Sequence, residues 1–222
     1  MKETSYHDYV FKDGHFVGQF EAMYAKCGET PWNQEETSRA IFSELDVSVL
    51  RSLHERHRFQ RVADLACGLG HLTHRFASEA LISPKCEVTG YDVSPSAIRS
   101  CRLRFPGLRF ETIDITEPPP DKLRNHFDLA IVGNCLWYLI ESLDAFLEGI
   151  NMLTSRFFYF FNSFPTEKPF HGDHLFPHAR TVVDRFISNG NWNNAYECIE
   201  RDAAYEGREY LHLLLEKNNQ SS

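Results

Sequence analysis

Asp64, Gly68, Gly70 and Asp92 are the residues whose types and spacing bear most directly on chemistry. Val62, Ala63, Leu65 and Ala66 form a short apolar run of strand length, which Cys67-Gly68-Leu69-Gly70 breaks. Leu72, Phe76 and Ala80 then recur at helical spacing. A strand, a glycine turn and a helix start make a corner that suits a nucleotide-type ligand. Glycine lets the backbone approach closely, and the helix start offers unpaired N–H groups and a positive dipole end. The same pattern also describes an ordinary tight β–α turn, so a second feature has to decide. Glu87–Val93 supplies it: this run reads as the next strand and ends in Asp92. A carboxylate there, about twenty residues past the glycines, is placed to accept hydrogen bonds from a ribose diol.

A ribose diol belongs to NAD and to S-adenosylmethionine alike, and the glycine spacing separates them. A dinucleotide fingerprint wants Gly or Ala at position 73, where Thr73 stands. Asp64-Leu65-Ala66-Cys67-Gly68-Leu69-Gly70 instead resembles the D-x-G-x-G-x-G motif of class I S-adenosylmethionine-dependent methyltransferases, with Ala66 as a small-for-small change at the first glycine. The resemblance runs from Arg61 to Phe164 and, by pattern, to the C-terminus. It implies cofactor contacts at Asp64, Ala66, Gly68, Gly70, Asp92, Val93 and Asn134, with S-adenosylhomocysteine as product. It also implies that Asp114 reaches the adenine amino group while Ile115 lies against the ring. Cys27–Gln34 is similar to the G-x-T-P-W-D-Q segment of the thiopurine, thiol and halide methyltransferases, with Asn33 for the usual Asp. In that family the tryptophan loop closes over the cofactor, which makes Trp32 a lid residue; packing on the core edge is the alternative. The core further resembles the methyltransferases of nodulation signals.

Residues for the acceptor follow the fourth apolar run, Phe127–Val132. Asn134 is polar like its counterpart in amine-modifying methyltransferases, but the two prolines of that motif are missing, so that chemistry is not transferred. Trp137 and Tyr138 are placed either to hold an acceptor or to seal the sheet edge. A long prolyl loop then carries His171, His174 and His178. A hydroxyl or ammonium acceptor needs a base, and His171 and His174 are the candidates, with Tyr138 beside them. The same histidines with Asp173 have the makings of a divalent-ion site, but such loop clusters are usually fortuitous and no metal is expected.

The elements that must position these residues alternate strand and helix along the chain. That alternation predicts an α/β fold, and the resemblance implies a doubly wound seven-stranded sheet of order 3-2-1-4-5-7-6 with the last strand antiparallel and helices on both faces. One domain over residues 1–222 is expected, with a helical lid over 1–57 and the core over 61–216. In the lid, helices are expected over His15–Cys27 and Gln34–His57, the latter with Ile41, Leu45, Val49 and Leu53 buried and Asp46 capping a second segment. Ser94-Pro95 and Ser142 read as helix starts. Ala195–Ile199 and Glu209–Leu215 read as a terminal hairpin.

Composition narrows the function classes. A formal charge of −8 disfavours a surface that tracks phosphates, so a small-molecule or soluble glycan acceptor is expected and a nucleic acid is not. Six scattered cysteines without a C-x-x-C pair fit a reducing compartment, and no apolar run approaches membrane-spanning length. A cytoplasmic protein is the expectation. Two other classes stay open: an NAD(P)-dependent oxidoreductase, opposed by Thr73, the lack of Tyr-x-x-x-Lys and the terminal hairpin, and a methyltransferase-like module that binds without turnover.

Overall fold

The computed structural model describes residues 5–13, 15–27, 30–165, 170–202 and 208–218. Its main sheet holds β1 (Arg61–Leu65), β2 (Glu87–Asp92), β3 (Arg109–Thr112), β4 (Phe127–Gly133), β5 (Thr154–Phe164), β6 (Trp192–Asp202) and β7 (Arg208–Lys217). Their spatial order, β3-β2-β1-β4-β5-β7-β6, is the expected one. β2 and β3 pair in parallel, as do β4 and β5, while β7 runs antiparallel to both β5 and β6. The α-helices of five residues or more are α1 (Phe20–Lys26), α2 (Ile41–His57), α3 (His71–Arg75), α4 (Pro95–Arg104), α5 (Leu143–Leu153) and α6 (Ala179–Ile187). Among the described residues no helix is long and apolar enough to cross a membrane. Backbone contacts group the chain into two units, Met1–His57 with Asp64–Asp114, and Arg58–Ala63 with Ile115–Ser222.

In the first unit, α1 starts five residues later than the spacing of apolar residues predicts. The amides of Val17 and Gly18 donate instead to the Val10 carbonyl, at 2.8 and 3.4 Å, and Gly18 is left-handed at φ +58°. α2 is unbroken, so Asp46 lies buried inside it and caps nothing. Its buried residues include Val47, Leu50 and Leu53, while Ile41 is 65 % exposed. A strict four-residue step drifts by about 40° per step on a helix of 3.6 residues per turn, so the expected stripe winds off the face that alternating steps of three and four would keep. α4 begins as predicted: Ser94 Oγ accepts from the Ala97 amide at 3.1 Å, with Pro95 at the first helical position. Ile98 and Cys101 then pack with Phe110 of β3.

The second unit is built on aromatic strands. Phe157–Phe161 are all buried in β5, as are Leu211 and Leu213–Leu215 in β7. Such strands read as continuous apolar runs because both faces are covered. β6 and β7 extend beyond the expected hairpin strands at both ends, and the polar loop between them lies outside the described residues. α5 buries Leu143, Phe146, Leu147, Ile150 and Leu153 as expected, but Ser142 precedes it without a side-chain capping bond. At its other end Lys217 Nζ donates to the carbonyls of Asn151 (2.6 Å) and Thr154 (2.9 Å), which satisfies acceptors that a helix terminus leaves open.

Candidate active site

The glycine corner lies within the first unit. Ala66, Gly68 and Gly70 are all left-handed, at φ +58°, +57° and +76°. A Cβ added at Gly68 would sit 2.5 Å from Gln34 Oε1, and one at Gly70 would sit 2.9 Å from the Phe110 ring and 3.1 Å from Cys101 Sγ. Conformation therefore favours glycine at both positions, and at Gly70 the packed Phe110 ring and Cys101 leave no space for a side chain either. Ala66 meets the same conformational demand with a side chain, so this substitution is less innocent than its size implies: an L-residue in that region costs about 1 kcal/mol.

The four amides of the corner already have acceptors. Cys67 N donates to Tyr91 O (2.9 Å) and Gly70 N to Cys67 O (3.0 Å). Gly68 N donates to Asp92 Oδ2 (2.8 Å) and Leu69 N to Gln34 Oε1 (2.7 Å). A pyrophosphate cradle works by offering such N–H groups to the anion, and here protein oxygens hold them.

The charge of the corner is negative. Asp92 is buried; its other oxygen, Oδ1, accepts from Ser94 N at 2.9 Å. Asp64 is buried and accepts from Thr73 Oγ1 at 2.5 Å. Burial pushes the Asp64 carboxyl up to about 7, against the Thr73 hydrogen bond and with help from the Asp92 charge. Burial likewise pushes Asp92 up to about 6, opposed by the amides of Ser94 and Gly68. Among the described residues no Lys, Arg or His forms an ion pair with either carboxylate. Thr73, which rules out the dinucleotide fingerprint, thus has a positive task as the hydroxyl that holds Asp64.

The remaining cofactor candidates of this unit surround that cluster more loosely. Val93 follows Asp92 and is 42 % exposed, an apolar surface beside the carboxylate. Asp114 is exposed just beyond β3, where Ile113 N donates to Asp92 O at 3.1 Å and ties the two strand ends together. Trp32 is half-buried, with its ring 5.4 Å from that of Tyr6 and 6.4 Å from that of Tyr24. Residues 28–29 of the segment that resembles the thiopurine family lie outside the described residues. Sequence reasoning missed Gln34, Tyr24 and Glu21. Gln34 Nε2 donates to Tyr24 OH at 3.0 Å. Glu21 accepts from Ser94 Oγ (2.6 Å), Ser96 N (2.9 Å) and Ser96 Oγ (2.7 Å), so a carboxylate of α1 caps α4.

The second unit holds the other candidates. Ile115 is half-buried; Asn134 is exposed, left-handed at φ +52°, and donates its amide to Phe161 O at 2.9 Å. Tyr138 is half-buried on a 3-10 turn, Leu136–Tyr138. Trp137 on the same turn meets Phe164 and Phe170 edge-on, at 5.2 and 4.7 Å between centroids. Gly172 is left-handed at φ +89°, and a Cβ there would meet Ile140 and, at 3.5 Å, Trp137. This close approach seats the histidine loop on the turn and buries His171 Nε2. His174 and His178 are exposed, so the three histidines do not converge. Among the described residues no group of three His, Cys, Asp or Glu side chains is arranged to hold a metal ion.

With this geometry in view, comparison with known proteins gives the class. The model of the methyltransferase-domain family matches residues 57–212, and the chain belongs to that family. Trans-aconitate 2-methyltransferase of Methylobacterium nodulans is 39 % identical over 67 residues, which are 28 % of this chain and 25 % of that enzyme. The match therefore spans about a quarter of that relative. N-methyltransferase NodS from Bradyrhizobium japonicum WM9, solved with S-adenosylhomocysteine, shares the fold at a TM-score of 0.63 and 15 % identity over 89 % of this chain and 98 % of that one. Magnesium protoporphyrin IX methyltransferase from Synechocystis PCC 6803, solved with S-adenosylmethionine, gives 0.59 and 15 % over 95 % and 94 %.

Proposed function

We propose that this chain transfers a methyl group from S-adenosylmethionine to a small-molecule or soluble glycan acceptor. One observation carries the cofactor side: two buried carboxylates, without an ion-pair partner among the described residues, lie in a corner whose amides are already satisfied. Buried carboxylates hold their charge poorly unless a cation joins them. A sulfonium ligand with an ammonium group suits such a corner, whereas a pyrophosphate would meet negative charge and occupied donors. The same contrast weighs against the NAD(P)-dependent oxidoreductase.

When bound, S-adenosylmethionine supplies a methyl group on a sulfonium that leaves as a neutral thioether. The chain's task is to hold donor and acceptor in line and to keep water out. We assign Asp92 to the ribose diol, Val93 to a face of the adenine and Asp114 to its amino group. Asp64, Ala66, Gly68 and Gly70 shape the methionine end, and Trp32 belongs to the lid. On the acceptor side, Trp137 and Tyr138 are assigned to an aromatic wall and His171 to the base for a hydroxyl or ammonium acceptor, a role that requires its buried Nε2 to be uncovered when the acceptor binds. His174, being exposed, is the weaker candidate. The names of the relatives, a methyltransferase of trans-aconitate and an N-methyltransferase, support an acceptor of small size. The net charge of −8 supports it too, since a macromolecular polyanion is disfavoured.

The test is calorimetry with S-adenosylhomocysteine and NAD, followed by transfer of labelled methyl to a panel of amines, hydroxyls, thiols and carboxylates. Heat with the former alone, and label on a small acceptor, is the expected result. Binding of NAD alone would overturn the assignment.

A further inference from the structure

Two successive residues of the lid, Trp32 and Asn33, are left-handed without being glycine, at φ +54° and +46°. Backbone of that kind persists only where its surroundings over-determine it, and it clusters at working sites. Here the turn is braced by Thr37, whose hydroxyl donates to the carbonyls of Trp32 (3.4 Å) and Asn33 (3.2 Å). The residue it delivers is Gln34. Gln34 Oε1 accepts from Leu69 N at 2.7 Å, and Gln34 Nε2 donates to Tyr24 OH at 3.0 Å. Gly68 lacks a side chain where Gln34 comes down, since a Cβ there would lie 2.5 Å from Oε1. Leu69 is the one amide of the four whose acceptor comes from outside the corner and the strand next to it: Tyr91, Cys67 and Asp92 serve the others.

We propose that Gln34 is a positioning residue for the cofactor corner: it joins Leu69 to the tyrosine-tryptophan part of the lid, so that cofactor retention depends on a side chain remote from the motif. This rests on the reading that the corner holds S-adenosylmethionine. The lid and the glycine loop then form one hydrogen-bonded unit, with Tyr24 orienting the carboxamide so that its oxygen faces Leu69. Leu69 N is in the short stretch between strand and helix, and its orientation sets where the loop backbone stands.

The experiment compares S-adenosylhomocysteine binding by calorimetry, and amide exchange at Leu69, in the wild type, Gln34→Leu, Gln34→Glu and Tyr24→Phe. Gln34→Leu keeps the shape and removes both hydrogen bonds; affinity should fall about tenfold and Leu69 should lose protection. Gln34→Glu keeps an acceptor and should restore Leu69 protection and bring affinity to within about threefold of the wild type. Tyr24→Phe should weaken binding about threefold by releasing the carboxamide. Should Gln34→Leu not fold, the contrast between Gln34→Glu and Tyr24→Phe still decides. Wild-type affinity and Leu69 protection in Gln34→Leu would overturn the proposal alone, as would a Gln34→Glu protein as weak as Gln34→Leu. Absence of binding by the wild type would overturn the cofactor reading with it.

Discussion

Asp92 and Glu21 share Ser94, and their chemistry is opposite. Asp92 takes the backbone amide of Ser94 and Glu21 its hydroxyl. Yet burial pushes Asp92 up to about 6, whereas hydrogen bonds from Ser94 and Ser96 hold Glu21 down at about 2. The two differ in solvation and in their nearest cation. Glu21 is exposed and lies 3.9 Å from the Arg99 guanidinium, and its hydrogen bonds fasten α1 to the start of α4. Asp92 is buried next to a second carboxylate, Asp64, and has charge to offer that the protein itself does not neutralise. One carboxylate therefore serves structure, and the other is poised for a ligand.

Three substitutions break or sharpen this contrast. Asp92→Ala should have the largest effect, weakening S-adenosylhomocysteine by about 1.5–3 kcal/mol in a calorimetric titration, because a charged acceptor is lost. Equal affinity would remove Asp92 from the ribose. Glu21→Gln should leave affinity nearly unchanged and lower unfolding stability by about 0.5–1 kcal/mol in urea, the usual scale for an exposed carboxylate at a helix start. A large loss of affinity there would show that the fastening and binding carboxylates are not separable. Ala66→Gly should have the smallest effect and the opposite sign, a gain of about 0.5–1 kcal/mol in the same assay from relief of the left-handed alanine. A loss of stability would mean that the alanine methyl contributes packing which outweighs its backbone cost.

Much of the fold was legible because its signals are local. Apolar runs broken by Gly and Pro marked the strands along the chain, their spatial order came with the methyltransferase resemblance, and Ser94-Pro95 marked α4 with its capping bond. The corner was legible for the same reason, since Asp64 to Gly70 are consecutive. Gln34 and Glu21 were not: they are polar residues of the lid whose partners lie 35 and 73–75 positions away. No periodicity records such a contact. The histidines illustrate a further limit. Their spacing puts them in one loop, but Gly172 turns the backbone so that Phe176 is buried while His174 and His178 face out. Proximity in sequence does not specify direction where no regular element sets it.

The account rests on a corner whose negative charge awaits a cation, and pH tests that most directly. Asp64 and Asp92 have raised values, so the folded state keeps their protons to higher pH than the unfolded chain. Their contribution to the stability of the ligand-free protein is fully present below about 4 and is lost as pH rises through about 6 to 7. Glu21, held at about 2, contributes with the other sign: its stabilisation is present above about 4.5 and is lost only as pH falls through about 2, outside this window. Binding of a cation requires the ionised carboxylates, so affinity must move the other way. The decisive measurement is a calorimetric titration of S-adenosylmethionine between pH 5.5 and 8.5, in parallel with urea unfolding of the ligand-free protein. The account predicts affinity that rises up to about pH 7 to 8 and then levels, while ligand-free stability falls over the same interval and levels likewise. Affinity that is flat or declines with pH would contradict it.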